Sequence, residues 1–309
     1  MAKDAKLKSL FIMPAVALSG FLLLVSLVMI LIASGHRVAW LGAAMAAAPL
    51  PLLIGQLMWR PVARTGEYLL LHLLIMSVGL ALACRWMYDD FVASWQVYQS
   101  IGAALAAAFN PSAGSAPGIV AIVAAVIVLV YVFWYSRFGR HHDARLDVGS
   151  KLPPFDATDL DGNTVSSEAF LGKPTVLLFY RGSWCPLCVA QIDELVQRYK
   201  DIDRLGIQVC LISSQHESQS KALAQQFDVP FRFLVDKDNK AAEALEIAVA
   251  NGVPVGVPGD YPSDTVMPTL VVTSAGGTIL FSDQTNNYRV RPEPDVFLAI
   301  LRRAGAAQS

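Results

Sequence analysis

The sequence predicts two dissimilar halves: an all-α transmembrane helical region over residues 1–147, and an α/β domain with a central mixed β-sheet flanked by helices over 148–309. Three observations predict it. The first half contains long stretches without a charged residue. The second half alternates strand and helix patterns. The charge balance also reverses where they meet: residues 1–147 hold 10 Lys/Arg and 6 Asp/Glu, residues 148–309 hold 14 and 19. Over the whole chain 54% of residues are apolar and 16% charged, with a mean hydropathy of +0.46. Soluble domains run near ~25% charged, so part of this chain belongs in a bilayer. Disorder, collagen and small disulfide scaffolds are excluded. A net charge of −1 gives no basic surface for nucleic acid.

Four spans are expected, at 9–35, 38–59, 66–86 and 118–136. Each run suits a helix of ~20 apolar residues, the length that crosses a bilayer. Pro49 and Pro51 kink the second. The first follows Lys3, Lys6 and Lys8, like a signal peptide, but a signal core is only ~7–15 residues long, so it reads as a retained anchor. Segment 91–109 reads as an interfacial helix or a fifth span. Four spans put Lys3–Lys8, Arg60, Arg64 and Arg137–Arg145 on the cytoplasmic side, as positive-inside counting favours; five would put Arg137–Arg145 outside. The expectation is a multi-pass cell (inner) membrane protein with its second half cytoplasmic. His72 and Cys84 read as packing residues within spans, and the half as an anchor.

In the second half, Pro154–Thr158 and Thr164–Ser166 flank an Asp161-Gly162 turn. Thr175–Tyr180, Ile207–Ser213 and Phe231–Val235 are short buried strands. Helices are expected over Pro186–Arg204, Gln215–Phe227 and Asn239–Val249. Thr269–Thr273 and Thr278–Ser282 form a hairpin around Ala275-Gly-Gly277, and Glu293–Ala304 is a closing helix. Such alternation predicts a mixed sheet covered by helices.

Chemistry concentrates in Phe179-Tyr-Arg-Gly-Ser-Trp-Cys-Pro-Leu-Cys188, between a strand and a helix. Cys185 falls at the helix N-cap and Pro186 at the first helical position. Free backbone N–H groups and the helix dipole there favour a Cys185 thiolate. Cys188, one turn on, is placed to exchange between dithiol and disulfide with it. A zinc site would need two more ligands, and Cys210 sits inside a strand, so no metal or other cofactor is expected. A structural disulfide would close too short a loop to stabilise much. Arg181 reads equally as a partner for a thiolate or peroxide oxygen and as a solvated loop residue. The Pro/Gly-rich loop Ala250–Thr265 is expected at the mouth of the site, or as a connector.

From about Val148 to Ala304 the sequence resembles the thioredoxin-fold alkyl hydroperoxide reductase/thiol-specific antioxidant family, the peroxiredoxin-like proteins. The resemblance rests on Pro153-Pro-Phe155, Val176–Tyr180, Trp184-Cys-Pro-Leu-Cys188, Met267-Pro268-Thr269 and Tyr288-Arg-Val-Arg-Pro292. It implies a thioredoxin-like fold and a thiol-dependent oxidoreductase with catalytic Cys185 and Cys188. Trp184, Arg181, Met267, Pro268 and Thr269 would face the substrate. Departures accompany it. The family's peroxide-attacking cysteine aligns with Cys188, its threonine with Cys185 and its motif proline with Arg181. Met267-Pro268 stands where its catalytic arginine would precede Thr269. Those losses favour disulfide exchange with Cys185 attacking, through a cis Met267–Pro268 bond as in thiol–disulfide reductases; the family likeness favours peroxide. The implied partners are a lipid bilayer, a thioredoxin- or glutathione-type reductant, a disulfide or peroxide substrate and a membrane protein. The competing reading is a structural or accessory subunit of a membrane complex that retains the fold.

Overall fold

The computed structural model describes residues 2–33, 35–97 and 115–306. Two compact units emerge: 12–59 with 68–135, and 136–309 together with 1–11 and 60–67.

The first unit is helical. Helix α1 (Ala2–Ile32) enters it, followed by α2 (Arg37–Ala47), α3 (Pro49–Trp59), α4 (Leu70–Val97) and α5 (Ala116–Val130), which ends in a π-helical turn, Tyr131–Tyr135. Three stretches among the described residues are long and apolar enough to cross a membrane: Asp4–Ile32, Leu70–Asp89 and Ala116–Tyr135. The pair α2 and α3, bent by 49° at the prolines, forms a fourth if taken as one broken span. Segment 91–109 lies outside the described residues beyond Val97. Small residues let α2 and α4 cross backbone to backbone. A Cβ on Gly42 would stand 2.7 Å from Ala83 N and Gly79 O; one on Gly79 would stand 2.6 Å from Ala46 N and Gly42 O. Only small residues at the crossing allow two helix backbones to come this close. Trp40, Ala43, Ala121 and Ala124 complete this core.

The second unit holds a seven-stranded sheet in the order β2-β1-β5-β4-β3-β8-β9. Its strands are β1 (Asp156–Asp159), β2 (Thr164–Ser166), β3 (Thr175–Phe179), β4 (Gln208–Ser213), β5 (Arg232–Val235), β8 (Thr269–Thr273) and β9 (Ile279–Ser282); β6 (Ala248–Val249) and β7 (Thr265–Val266) pair separately. β3, β4 and β5 run parallel, while β1, β2, β8 and β9 run antiparallel to their neighbours. The mixed sheet is the one expected from the alternating elements. Every residue of β3 and β8 is buried, as central strands covered on both faces require.

Two helices differ from expectation. Pro186–Arg204 breaks at Arg198 into α6 (Pro186–Gln197) and α7 (Tyr199–Arg204). Asn239–Val249 is helical only over α9 (Lys240–Ala244), after α8 (Glu217–Phe227). The carboxylate of Asp236 accepts the N–H groups of Ala241 and Ala242 and starts α9. Glu246 then turns left-handed, with φ 55°, and the β-branched Ile247 and Val249 are buried at 1% and 3% exposure in extended chain. Their β propensity outweighs the helical pattern. Helix α10 (Pro294–Ala306) closes the domain.

Candidate active site

Strand β3 delivers the chain to the site. Phe179 pairs with Ile212 of β4 and Thr269 of β8. Tyr180 continues the ladder through its N–H to Ile212 O, 2.9 Å. The turn 181–184 follows, and Gly182 adopts φ 144°, where a Cβ would stand 2.6 Å from the Trp184 indole nitrogen. That conformation and that closeness both require glycine. Cys185 then caps α6 with extended backbone, φ −96° and ψ 107°, and Pro186 occupies the first turn. Both are where the sequence places them.

The hydrogen-bond donors of the site gather on the second cysteine rather than at the expected N-cap thiol. Cys185 Sγ makes no capping hydrogen bond. The N–H groups of Cys188 and Val189 donate instead to the Cys185 carbonyl, at 2.9 and 3.1 Å, and Pro186 has no N–H to offer. The donors converge on the second cysteine. The Arg181 N–H reaches Cys188 Sγ at 3.4 Å, and Arg291 Nη2 reaches it at 3.4 Å, against 3.9 Å to Cys185. Cys188 is fully buried and Cys185 is 2% exposed. Burial opposes a Cys188 thiolate, but the Cys185 S–H bond, the Arg291 guanidinium and the Arg181 N–H outweigh it and hold Cys188 well below the ordinary thiol range. Cys185 is pushed well above that range by the hydrogen bond it gives Cys188, then by burial and the adjoining negative charge. Neither cysteine is bridged.

Arg291 is a residue of the candidate site that sequence reasoning did not single out. It is 5% exposed. Its Nε donates to Tyr288 O at 3.0 Å and its Nη1 to Gln191 Oε1 on α6 at 2.8 Å. Burial opposes its charge, but the two sulfurs offset that and strengthen its hold on the proton. The only signal was its place in the Tyr288–Pro292 segment, which carries no helical or strand period.

Arg181 is not a solvated loop residue. It is 3% exposed, and its Nη2 donates to Gly252 O at 2.7 Å. Its guanidinium lies over Trp184, Tyr288 and Phe138 at 4.6, 5.0 and 5.3 Å. Its side chain therefore builds the wall and its backbone N–H serves the thiol. Trp184 is half-buried on that wall. Loop 250–265 is tied to the same turn: Tyr261 Oη and Ser183 Oγ are 3.0 Å apart, and Thr265 Oγ1 donates to Arg181 O at 2.8 Å.

The pairing of Phe179 with Thr269 puts Met267-Pro268 beside Tyr180 and Arg181. All three residues 267–269 are buried. The Thr269 hydroxyl donates to Met267 O and accepts from Arg140 Nη1, at 2.8 and 3.0 Å, so it is occupied within the fold. The described residues contain no cis peptide, so the expected cis Met267–Pro268 bond is trans. Met267 N donates to Ile247 O at 2.7 Å, and the β6–β7 pairing carries the chain straight into β8. Among the described residues, no three His, Cys, Asp or Glu side chains gather to hold a metal ion.

Residues 148–282 match the AhpC/TSA family. The chain is 33% identical over 119 residues to peroxiredoxin Q of the chloroplast from Sedum lineare, covering 38% of this chain and 61% of that protein. It is 25% identical over 114 residues to the thiol-disulfide oxidoreductase ResA of Bacillus cereus, covering 37% of this chain and 62% of that one. The chain thus spans under two thirds of these relatives. The crystal structure of peroxidoxin BcpB from Mycobacterium tuberculosis superposes with a TM-score of 0.43 at 19% identity, over 51% of this chain and 97% of that one.

Proposed function

We propose, from the premise that residues 148–282 are an AhpC/TSA family domain, that this chain is a membrane-anchored thiol-dependent peroxidase in which Cys188 attacks and Cys185 resolves. The observation that carries the reading is the convergence of the Arg181 N–H and the Arg291 guanidinium on Cys188 Sγ. A thiolate is the nucleophile in such chemistry. The Cys188 thiolate attacks the terminal oxygen of a hydroperoxide, the O–O bond breaks, and the alkoxide or hydroxide leaves and takes up a proton. Cys188 becomes a sulfenic acid. The Cys185 thiol condenses with it, releasing water and forming the Cys185–Cys188 disulfide. One thioredoxin-type dithiol, or two glutathione-type thiols, returns both to thiols and leaves as a disulfide.

Arg291 supplies the positive charge that the family arginine before Thr269 would have supplied. Burial of both sulfurs favours a small oxidant over a protein disulfide. Disulfide exchange is the second reading; it is favoured by Cys185 standing at the threonine position of the peroxide-binding motif. The apolar helices of the first unit suit a multi-pass anchor in the cell membrane with the thiol domain cytoplasmic, where a membrane protein partner has access. Steady-state turnover of the full chain with hydrogen peroxide, an organic hydroperoxide and a disulfide substrate tests the reading. Peroxide is expected to be consumed fastest. A faster disulfide selects the second reading, and no turnover with any of them selects the accessory-subunit role.

A further inference from the structure

Segment Tyr288-Arg-Val-Arg-Pro292 is held from two sides. Arg291 points its guanidinium at the thiols, while its carbonyl accepts from Arg64 Nε at 3.1 Å. Pro292 O accepts from Arg64 Nη2 at 3.3 Å. Arg64 also forks onto the carboxylate of Glu194, with Nη1 at 3.1 Å from Oε1 and Nη2 on Oε2. Glu194 stands on α6, the helix that carries Cys188. One side chain therefore fastens the helix bearing the thiolate to the strap bearing its cation. Bidentate arginine–carboxylate pairs fix geometry as well as energy.

A second arginine repeats the arrangement. Arg289 is fully buried. Its Nη1 donates to Thr65 Oγ1 and Gly66 O at 2.7 and 3.1 Å, its Nη2 to Glu67 O at 2.9 Å, and its Nε to Ser136 Oγ at 2.8 Å. The Thr65 N–H returns to Arg289 O at 2.9 Å. Residues 64–67 thus grip the carbonyls or guanidinium of 289, 291 and 292. In sequence they link α3 to α4, the apolar helices of the other half.

We propose that loop 60–67 is a positioning element for the thiol pair: Arg64 directly, and Thr65–Glu67 through Arg289, hold Arg291 against Cys188. The reactivity of the pair then depends on this loop. The charged or titratable groups facing Cys188 are Cys185, Arg181, Arg291 and Tyr180. None belongs to loop 60–67, so the loop acts through Arg291.

The test is a pH titration of the Cys188 thiolate in the full chain in detergent, read by ultraviolet thiolate absorbance and by Cys188 alkylation. It does not depend on which oxidant the protein consumes. In Arg64→Gln the midpoint is expected to rise, with alkylation at mildly acidic pH falling roughly three- to tenfold, up to one pKa unit of thiolate population. Arg64→Lys restores part of it. Arg302→Gln, which removes an exposed pair with Asp201, leaves it unmoved. Thr65→Val takes away the hydroxyl that accepts from Arg289 and decides the matter should Arg64→Gln not fold; it is expected to shift the midpoint the same way. A folded Arg64→Gln or Thr65→Val protein with the parental midpoint overturns the proposal.

Discussion

Replacing Arg291 by Met removes the cation nearest Cys188 while keeping most of its volume. Its Nη2 stands 3.4 Å from the sulfur. Two unit charges at that separation attract by about 5 kcal/mol at an effective dielectric constant of about 20. Arg181 N–H and the Cys185 S–H remain, and relaxation recovers part of the loss. Taking half gives ~2.5 kcal/mol, roughly 50–100-fold less thiolate at pH values below the parental midpoint. The sign is fixed by chemistry: loss of a cation raises a thiol pKa, so the deficit is largest in mild acid and vanishes as pH rises through the new midpoint. The assay is ultraviolet thiolate absorbance against pH, with iodoacetamide labelling and peptide mapping at one mildly acidic pH. Arg291→Lys keeps the charge but loses the separate hydrogen bonds to Gln191 and Tyr288 and should fall between parent and Met. An Arg291→Met protein that folds and keeps the parental profile would refute the assignment of Cys188 as an arginine-supported thiolate.

Other outcomes follow from the same structure. Cys210 lies in β4, fully buried, with its thiol pushed up to about 12 by burial; it should remain unlabelled at pH values where Cys188 reacts, and early labelling of Cys210 would show that β4 is not closed. Gly79→Leu drives a side chain into the backbone of α2, and overpacking costs about 1–3 kcal/mol or more. Its thermal midpoint in detergent should drop, whereas an unchanged midpoint would mean that α2 and α4 do not meet there. Reporter fusions after Ser9 and after Ser150 should both report the cytoplasmic side; an external signal at Ser150 would bring back the fifth span at 91–109.

Much of the thiol domain was legible because its signals are local. Val176–Phe179 and Val209–Ile212 are uninterrupted apolar runs, which only covered strands tolerate. Trp184-Cys-Pro-Leu-Cys188 announces a strand-to-helix junction through Pro186. What the sequence does not carry is contact across distance. The helix-terminus rule favoured Cys185, but it assumes that the first N–H groups point at the side chain, and here they serve the Cys185 carbonyl. The guanidinium that reaches Cys188, that of Arg291, arrives from over one hundred residues away. In sequence Arg64 counts only toward the basic side of the spans, and Arg289 only as part of Tyr288–Pro292; the fold brings 60–67 against 288–292. The helix expected at Asn239–Val249 failed differently, because residues 245–249 satisfy either period and burial chose the extended one.

The central claim is that Cys188 is the attacking sulfur. One equivalent of hydrogen peroxide added to the reduced full chain carrying Cys185→Ser, followed by dimedone and peptide mapping, tests it most directly. Without a resolving thiol, the account predicts a sulfenic acid trapped on Cys188, and no adduct at Cys185 in the converse Cys188→Ser protein. An adduct on Cys185 in Cys188→Ser, with Cys188 unmodified in Cys185→Ser, would contradict it.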